Sequence, residues 1–172
     1  MTDRKLVLYF SVYGTTKKAA EEIARQAHAD LMEIEPCLPY DGERNHYRAL
    51  ARRTERECSG NQRPGIRNAL PIADYDVIFL GYPIWCDTVP MIIHTLLERY
   101  DFSGKTLIPF NTHMGSRDSG TWQLIQRQAP KAMVPDGLCI EMADTDSKAS
   151  VLVSGWLQKL KLLDEEKQSI AI

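Results

Sequence analysis

Three runs of almost wholly apolar, strand-favouring residues punctuate this chain: KLVLYF at 5–10, DVIFLGY at 76–82 and TLIPFNT at 106–112. A strand with one wet face alternates polar and apolar side chains. An unbroken apolar run therefore marks a strand covered on both faces, as in a parallel sheet sandwiched between helices. DLMEIE at 30–35 reads as a further buried strand, and GLCIEM at 137–142 as a shorter, weaker fifth. Helical periodicity fills the intervals. Thr16 to His28 repeats Ala20, Ile23, Ala24 and Ala27, and Val89 to Tyr100 groups Ile92, Ile93, Leu96 and Leu97. Ser119 to Gln128 sets Trp122 and Ile125 three apart, and Ser147 to Leu163 carries Val151, Leu152, Trp156, Leu157 and Leu160. Strand and helix alternate throughout, which predicts an α/β three-layer sandwich with right-handed crossovers. The expected order of the five parallel strands is 2-1-3-4-5, with a ligand crevice at the carboxyl ends of the first, third and fourth. No repeat or composition shift divides the 172 residues, so one domain over 1–172 is expected.

One segment resists the alternation. Residues 36–72 form a long connection broken by Pro36, Pro39, Pro64 and Pro71, with a short helix expected near Asn45–Glu57. Between Glu43 and Arg67 it holds seven arginines against Glu43, Glu55 and Glu57. This pattern fits a solvated helix face, or else a patch meeting a partner or a phosphate. The whole chain nevertheless carries a net charge of only −2, which gives no support to nucleic-acid binding or to a membrane surface. The opening MTDRK has no apolar signal region and no apolar run approaches spanning length, so the expected location is the cytoplasm. Cys37, Cys58, Cys86 and Cys139 are scattered with no CxxC and no paired spacing, which points away from a zinc site or a redox dithiol.

Between the first strand and its helix stands SVYGTT, residues 11–16. A helix N-terminus presents unpaired backbone N–H groups and about half a positive charge, a ready anion site. Ser11, Tyr13, Thr15 and Thr16 add hydroxyl donors around Gly14, which can adopt a backbone angle closed to other residues. The turn fits a phosphate held by donors without a side-chain cation. It also fits simple capping by Thr15 or Thr16 with no ligand. It is neither GxxxxGK[ST] nor GxGxxG. The neighbouring strand ends favour a ligand. GYPIWCDTVP at 81–90 sets Trp85 over the same crevice, where an indole either stacks on a flat heteroaromatic ring or buries itself against a helix. NTHMGSRDSGTW at 111–122 adds a small polar loop with Gly115 and Gly120. A phosphoacceptor domain of the same strand order would need carboxylates at the first and third strand ends, where YFSVYG and GYPIW stand instead.

With SVYGTTKKAAEEIA, YDVIFLGYPIWCDTVP and YDFSGKTLIPFNTHMGS in this order, the chain resembles the flavodoxin-like FMN-binding proteins. In particular it resembles a bacterial group with GYPIW and F.TH.GS segments. The likeness runs from Lys5 to about Leu160 and includes the RP.I at Arg63–Ile66. It implies a flavodoxin-like fold and noncovalent FMN used for electron transfer, or for NAD(P)H-linked reduction of a small acceptor such as a quinone. Carried over by position, Ser11, Tyr13, Gly14, Thr15 and Thr16 would cradle the phosphate, with a backbone amide from Val12. Pro83, Ile84 and Trp85 would flank the isoalloxazine, with Cys86 next in the same loop. Thr112, His113, Met114 and Gly115 would line its other edge, and Ser116 its margin. No metal is implied. The donor or acceptor would be a redox partner protein or a small molecule, and either the long connection or the polar tail 164–172 could supply a homodimer contact.

Three departures from the resemblance bear on the chemistry. The strongly acidic charge of electron-carrier flavodoxins is missing. The THMGSRDSG loop has no aromatic beside the strand end, leaving one flavin face to Trp122, His113 or a substrate. Cys86 and Asp87 stand where relatives commonly carry Trp or Gly and then Gly, and a side chain resists the positive φ that favours one-electron reduced flavin. The expectation is two-electron chemistry. The competing expectation is a flavodoxin-fold interaction module that has lost its cofactor.

Overall fold

The computed structural model describes residues 3–40 and 46–162. Asn45, at the start of the expected short helix, Glu43 and Arg44 of the arginine-rich connection, Leu163 and the polar tail 164–172 lie outside the described residues. The elements run β1 (Lys5–Tyr9), α1 (Thr15–Ala27), β2 (Asp30–Glu33), α2 (Tyr47–Ser59), β3 (Val77–Pro83) and α3 (Met91–Arg99). They continue through β4 (Thr106–His113), α4 (Thr121–Gln128), β5 (Leu138–Glu141) and α5 (Ala149–Lys159). All five strands are parallel in the order β2-β1-β3-β4-β5, as the alternation predicts.

Even in the unbroken apolar strands the side chains divide by parity. Leu6, Leu8 and Phe10 enter one core layer with Leu50 of α2, Ile92, Ile93 and Leu96 of α3 and Ile125 of α4. Val7 and Tyr9 enter the other, against Ala19, Ala20 and Ile23 of α1 and Val153, Trp156 and Leu157 of α5. Two cores on opposite faces of one sheet are what an all-apolar strand requires, because successive side chains point to opposite faces.

β2 departs from expectation. It is an edge strand with Asp30, Leu31 and Glu33 exposed, not a buried one. Strand order accounts for this, since β2 has β1 as its single neighbour. Pro109 stands inside β4, where a missing N–H normally breaks a ladder. The Leu107 N–H reaches across to the Met133 carbonyl, so amides of the same parity, Pro109's included, face the β5 side. Pairing with β5 begins only at Phe110↔Leu138, and proline therefore occupies the gap before that ladder starts.

Gly81 in β3 sits opposite Phe110 in the register, and the phenyl ring lies over it. A methyl group at Gly81 would stand 2.1 Å from the ring, inside a fully buried layer. Gly81→Ala is expected to lower the unfolding free energy by about 1–3 kcal/mol through overpacking. Urea titration checks this, and the same change made beside Phe110→Leu should cost measurably less; equal losses in the two backgrounds would contradict the packing account.

Candidate functional site

The register aligns Tyr9 of β1 with Gly81 of β3, and Gly81 in turn with Phe110 of β4, so three loops leave the same edge of the sheet together. They border a cavity of about 580 Å³. Ser11, Val12, Tyr13, Thr15 and Thr16 line it after β1, and Pro83, Ile84, Trp85 and Cys86 line it at the end of β3. Thr112, His113, Met114 and Ser116 line it at the end of β4. Gly14 and Gly115 bend the loops without lining the space, at φ 87° and 113°. The structure thus brings together the residues of all three sequence segments.

The first loop leaves the end of α1 bare. Gly14 is the N-cap residue and no side chain caps the helix, so neither Thr15 nor Thr16 plays the capping role. The Gly14 N–H donates to Ser11 Oγ at 3.1 Å, which folds the loop back on itself. The first bond of the helix is Lys18 N–H to the Gly14 carbonyl, and the amides of the first turn before it have no helical partner. Thr16 and Thr112 share a buried hydroxyl–hydroxyl bond of 2.7 Å, which fastens this loop to the end of β4. On the third loop the Gly115 N–H donates to His113 Nδ1 at 3.0 Å. His113 Nδ1 is then an acceptor, which leaves Nε2 to carry the N–H.

Trp85 is half-buried, and the residues it packs on belong to no helix. It lines the cavity while packing edge-on against Phe10 at 5.4 Å and Tyr40 at 5.6 Å between ring centroids. The two residues after it correct an expectation. Trp85 and Thr88 exchange both backbone bonds, Trp85 N–H to Thr88 O at 3.0 Å and Thr88 N–H to Trp85 O at 2.9 Å. Cys86 and Asp87 between them adopt φ 50° and 54° despite their side chains, the both-positive pattern of a type I′ reversal. Such residues cost about 1–3 kcal/mol each. Trp122 also departs from its expected place. It packs beside Gly137, where an added methyl would meet the indole nitrogen at 2.8 Å, and it does not line the cavity.

Sequence reasoning missed the fourth wall. Tyr47, Leu50, Ala51, Thr54, Glu55, Cys58 and Ser59 of α2 face the cavity, and Met142 after β5 reaches it. The signal was present as a three-to-four spacing at Tyr47, Leu50, Ala51, Thr54 and Cys58, hidden by its mixed polarity. The long connection closes on itself through Cys37 N–H to Gly65 O at 2.8 Å and Arg67 N–H to Glu35 O at 2.7 Å. Within that closed excursion a buried polar cluster anchors α2. Arg53 Nε donates to Glu57 at 3.0 Å, and its other nitrogens donate to the Pro39 and Leu38 carbonyls at 2.9 and 2.8 Å. Its guanidinium lies 3.5 Å from the centre of the Tyr40 ring. The Tyr40 hydroxyl donates to Glu57 at 2.7 Å, and burial together with that carboxylate holds its pKa far above the ordinary tyrosine value. Tyr40 in turn touches Trp85, so the α2 anchor and the β3 loop are one packed unit. Burial also pushes the Cys58 thiol up to about 12, with the Cys86 thiol and Glu57 adding to the effect.

A family model for flavodoxin, Flavodoxin_4, matches residues 4–160. The chain belongs to this flavodoxin family. It is 32% identical to a candidate flavoprotein of Bacteroides uniformis ATCC 8492, over 92% of this chain and 99% of that one, with a TM-score of 0.80. A candidate flavoprotein of Bacteroides eggerthii DSM 20697 is 31% identical over 93% of this chain and 99% of that chain, again at a TM-score of 0.80. A Lactobacillus acidophilus NCFM flavoprotein solved in complex with FMN shares the fold at 23% identity and a TM-score of 0.66, over 84% of this chain and 97% of its own. Comparison with curated protein sequences finds no match. Among the described residues no helix is long and apolar enough to cross a membrane.

The anchor of α2 yields a direct test. Arg53 and Glu57 are both buried, so Glu57→Ala removes the carboxylate from a buried ion pair and is expected to cost about 3–5 kcal/mol. Tyr40→Phe removes one hydroxyl and should cost about 1 kcal/mol. Chemical denaturation of both variants decides; a loss below about 1 kcal/mol for Glu57→Ala would show that α2 is held by other means.

Proposed function

We propose that the cavity holds FMN and that the protein uses it to move electrons between a donor such as NAD(P)H or a redox protein and a small acceptor such as a quinone. The observation that carries this reading is the bare α1 N-terminus, capped by no side chain and opening on a cavity of about 580 Å³. Small-molecule sites run to about 300–1,000 Å³, so a mononucleotide fits the space. Membership of a flavodoxin family supports the cofactor class. So do the FMN bound to the L. acidophilus flavoprotein and the FMN bound to a Fusobacterium nucleatum flavodoxin mutant of the same fold.

In this reading the first-turn amides of α1, with the hydroxyls of Ser11 and Thr15, donate to the phosphate, and the helix dipole favours its double negative charge. Thr16 contributes mainly by locking the loop to Thr112, since its hydroxyl is already engaged. Pro83, Ile84 and Trp85 form an apolar wall for the isoalloxazine, and Trp85 is kept in place by Phe10 and Tyr40. His113 offers an Nε2–H donor toward the cavity, and Val12, Cys86, Met114 and Ser116 complete its sides. FMN supplies the redox step itself. The chain holds and orients it, and leaves one approach open. That approach is rimmed by Met114 and Tyr47, 76% and 70% exposed, an apolar border suited to a flat, uncharged acceptor.

The protein should purify yellow and release FMN on denaturation. Thr15→Glu, at the half-buried mouth of the helix, should lower FMN affinity on the order of a hundredfold by setting a carboxylate against the phosphate. Riboflavin, which lacks the phosphate, should bind wild type and variant alike. Isothermal titration with both flavins checks this; undiminished FMN affinity in Thr15→Glu would refute the phosphate assignment.

A further inference from the structure

Two of the four cysteines meet at the rim of the cavity. Cys58 stands in the last turn of α2 and Cys86 in the reversal after β3, and both line the same space. Beside that shared place on the rim, the Cys86 thiol adds to the rise in the Cys58 pKa, an effect of neighbouring groups. The other two are placed elsewhere. Cys37 is exposed and packs beside Gly65, and Cys139 is in β5, where Asn111 Nδ2 donates to its sulfur at 3.4 Å. Neither Cys37 nor Cys139 lines the cavity. A thiol pair contributed by two separate elements to one cavity rim is a chemical feature that flavin binding does not use.

We propose that Cys58 and Cys86 form a second redox site, a thiol–disulfide exchange pair whose substrate is a low-molecular-weight disulfide. The roles follow from exposure. Cys86 is exposed on a two-residue turn, where a small disulfide can approach along the S–S axis. Cys58 is half-buried and stays a thiol at neutral pH, so it does not compete for the first attack. The Cys86 thiol gives its proton to solvent, and the thiolate attacks one sulfur of RSSR. A mixed disulfide forms at Cys86 and RS⁻ leaves, taking up a proton as RSH. Cys58 then loses its proton and attacks Sγ of Cys86, forming the Cys58–Cys86 bond and expelling the second RSH. Two cysteine thiols are oxidised and one disulfide is reduced to two thiols, with no other reactant. The second step is slow for a thiol of high pKa in free solution. Here it is intramolecular between neighbouring groups, which raises its effective concentration by orders of magnitude. The product bond joins the end of α2 to the β3–α3 turn across the cavity rim. The exchange requires no flavin.

The test uses the full chain, reduced, freed of reductant and incubated anaerobically with oxidised glutathione, then blocked with an alkylating agent and mapped by peptide mass spectrometry. Wild type should carry no stable glutathione on Cys58 or Cys86 and yield a Cys58–Cys86 linked peptide, whatever the exposed Cys37 takes up. Cys58→Ser should stop at one glutathione on Cys86, and Cys86→Ser should leave Cys58 unmodified. Because the linked peptide is sought in wild type, the result does not depend on either variant folding. The proposal is overturned if wild type keeps glutathione on Cys86 as stably as Cys58→Ser does. It is overturned equally if no thiols are lost, or if Cys86 links to Cys37 or Cys139.

Discussion

The winding of the chain reverses between β1 and β3, and the site depends on that reversal. Crossovers from β1 to β2 and from β3 to β4 run toward opposite edges of the sheet. The loops that leave β1 and β3 therefore part, and a crevice opens between adjacent strand ends. Parallel register keeps those ends level, since Tyr9, Gly81 and Phe110 lie on one line across the sheet. Gly81 makes that line possible, because the Phe110 ring fills the place a side chain would take. Above it, the unpaired amides of α1 turn toward the crevice, and the Thr16–Thr112 bond holds the helix mouth against β4. The uncapped mouth of α1 beside the cavity is thus a product of topology and of a few small side chains.

The crevice becomes a cavity through α2. An arginine-rich helix would ordinarily stay in solvent, yet Arg53 is buried and spends its donors on Glu57 and on the Leu38 and Pro39 carbonyls. Tyr40 joins this cluster to Phe10 and Trp85, so charge pairing and aromatic packing are mechanically continuous. Arg48, Arg52 and Arg56 remain exposed on the same helix. The solvated-face reading of the connection therefore describes those three, while Arg53 is a structural anchor. One helix then presents a basic outer side and an inner side of Leu50, Ala51, Thr54 and Cys58.

Much of this was legible in the residues. Unbroken apolar runs identified β1, β3 and β4, and the alternation with helices led to the strand order. The three loop segments were legible as one site because topology gathers strand ends at a single edge. Other features were invisible for physical reasons. The inward face of α2 mixes Tyr47, Leu50 and Ala51 with threonine, serine and cysteine, so its helical spacing is masked by mixed polarity. The burial of Arg53 depends on carbonyls supplied by a loop whose path no local pattern encodes. The positive φ of Cys86 and Asp87 is imposed by the paired bonds of Trp85 and Thr88, against the preference of both side chains. β2 reads as buried from composition because Leu31 and Met32 are apolar, whereas its exposure is decided by its place at the sheet edge; Ile34, just beyond it, is buried.

The central claim is that oriented amides and hydroxyls at the mouth of α1 hold a doubly charged phosphate without a side-chain cation. Phosphorus NMR of the protein with one equivalent of FMN, followed across the pH range in which a free phosphate monoester titrates near about 6, tests it most directly. The account predicts one shifted resonance that stays dianionic well below that pH, because the site stabilises the charged form. A resonance that moves with pH as free FMN does would contradict it.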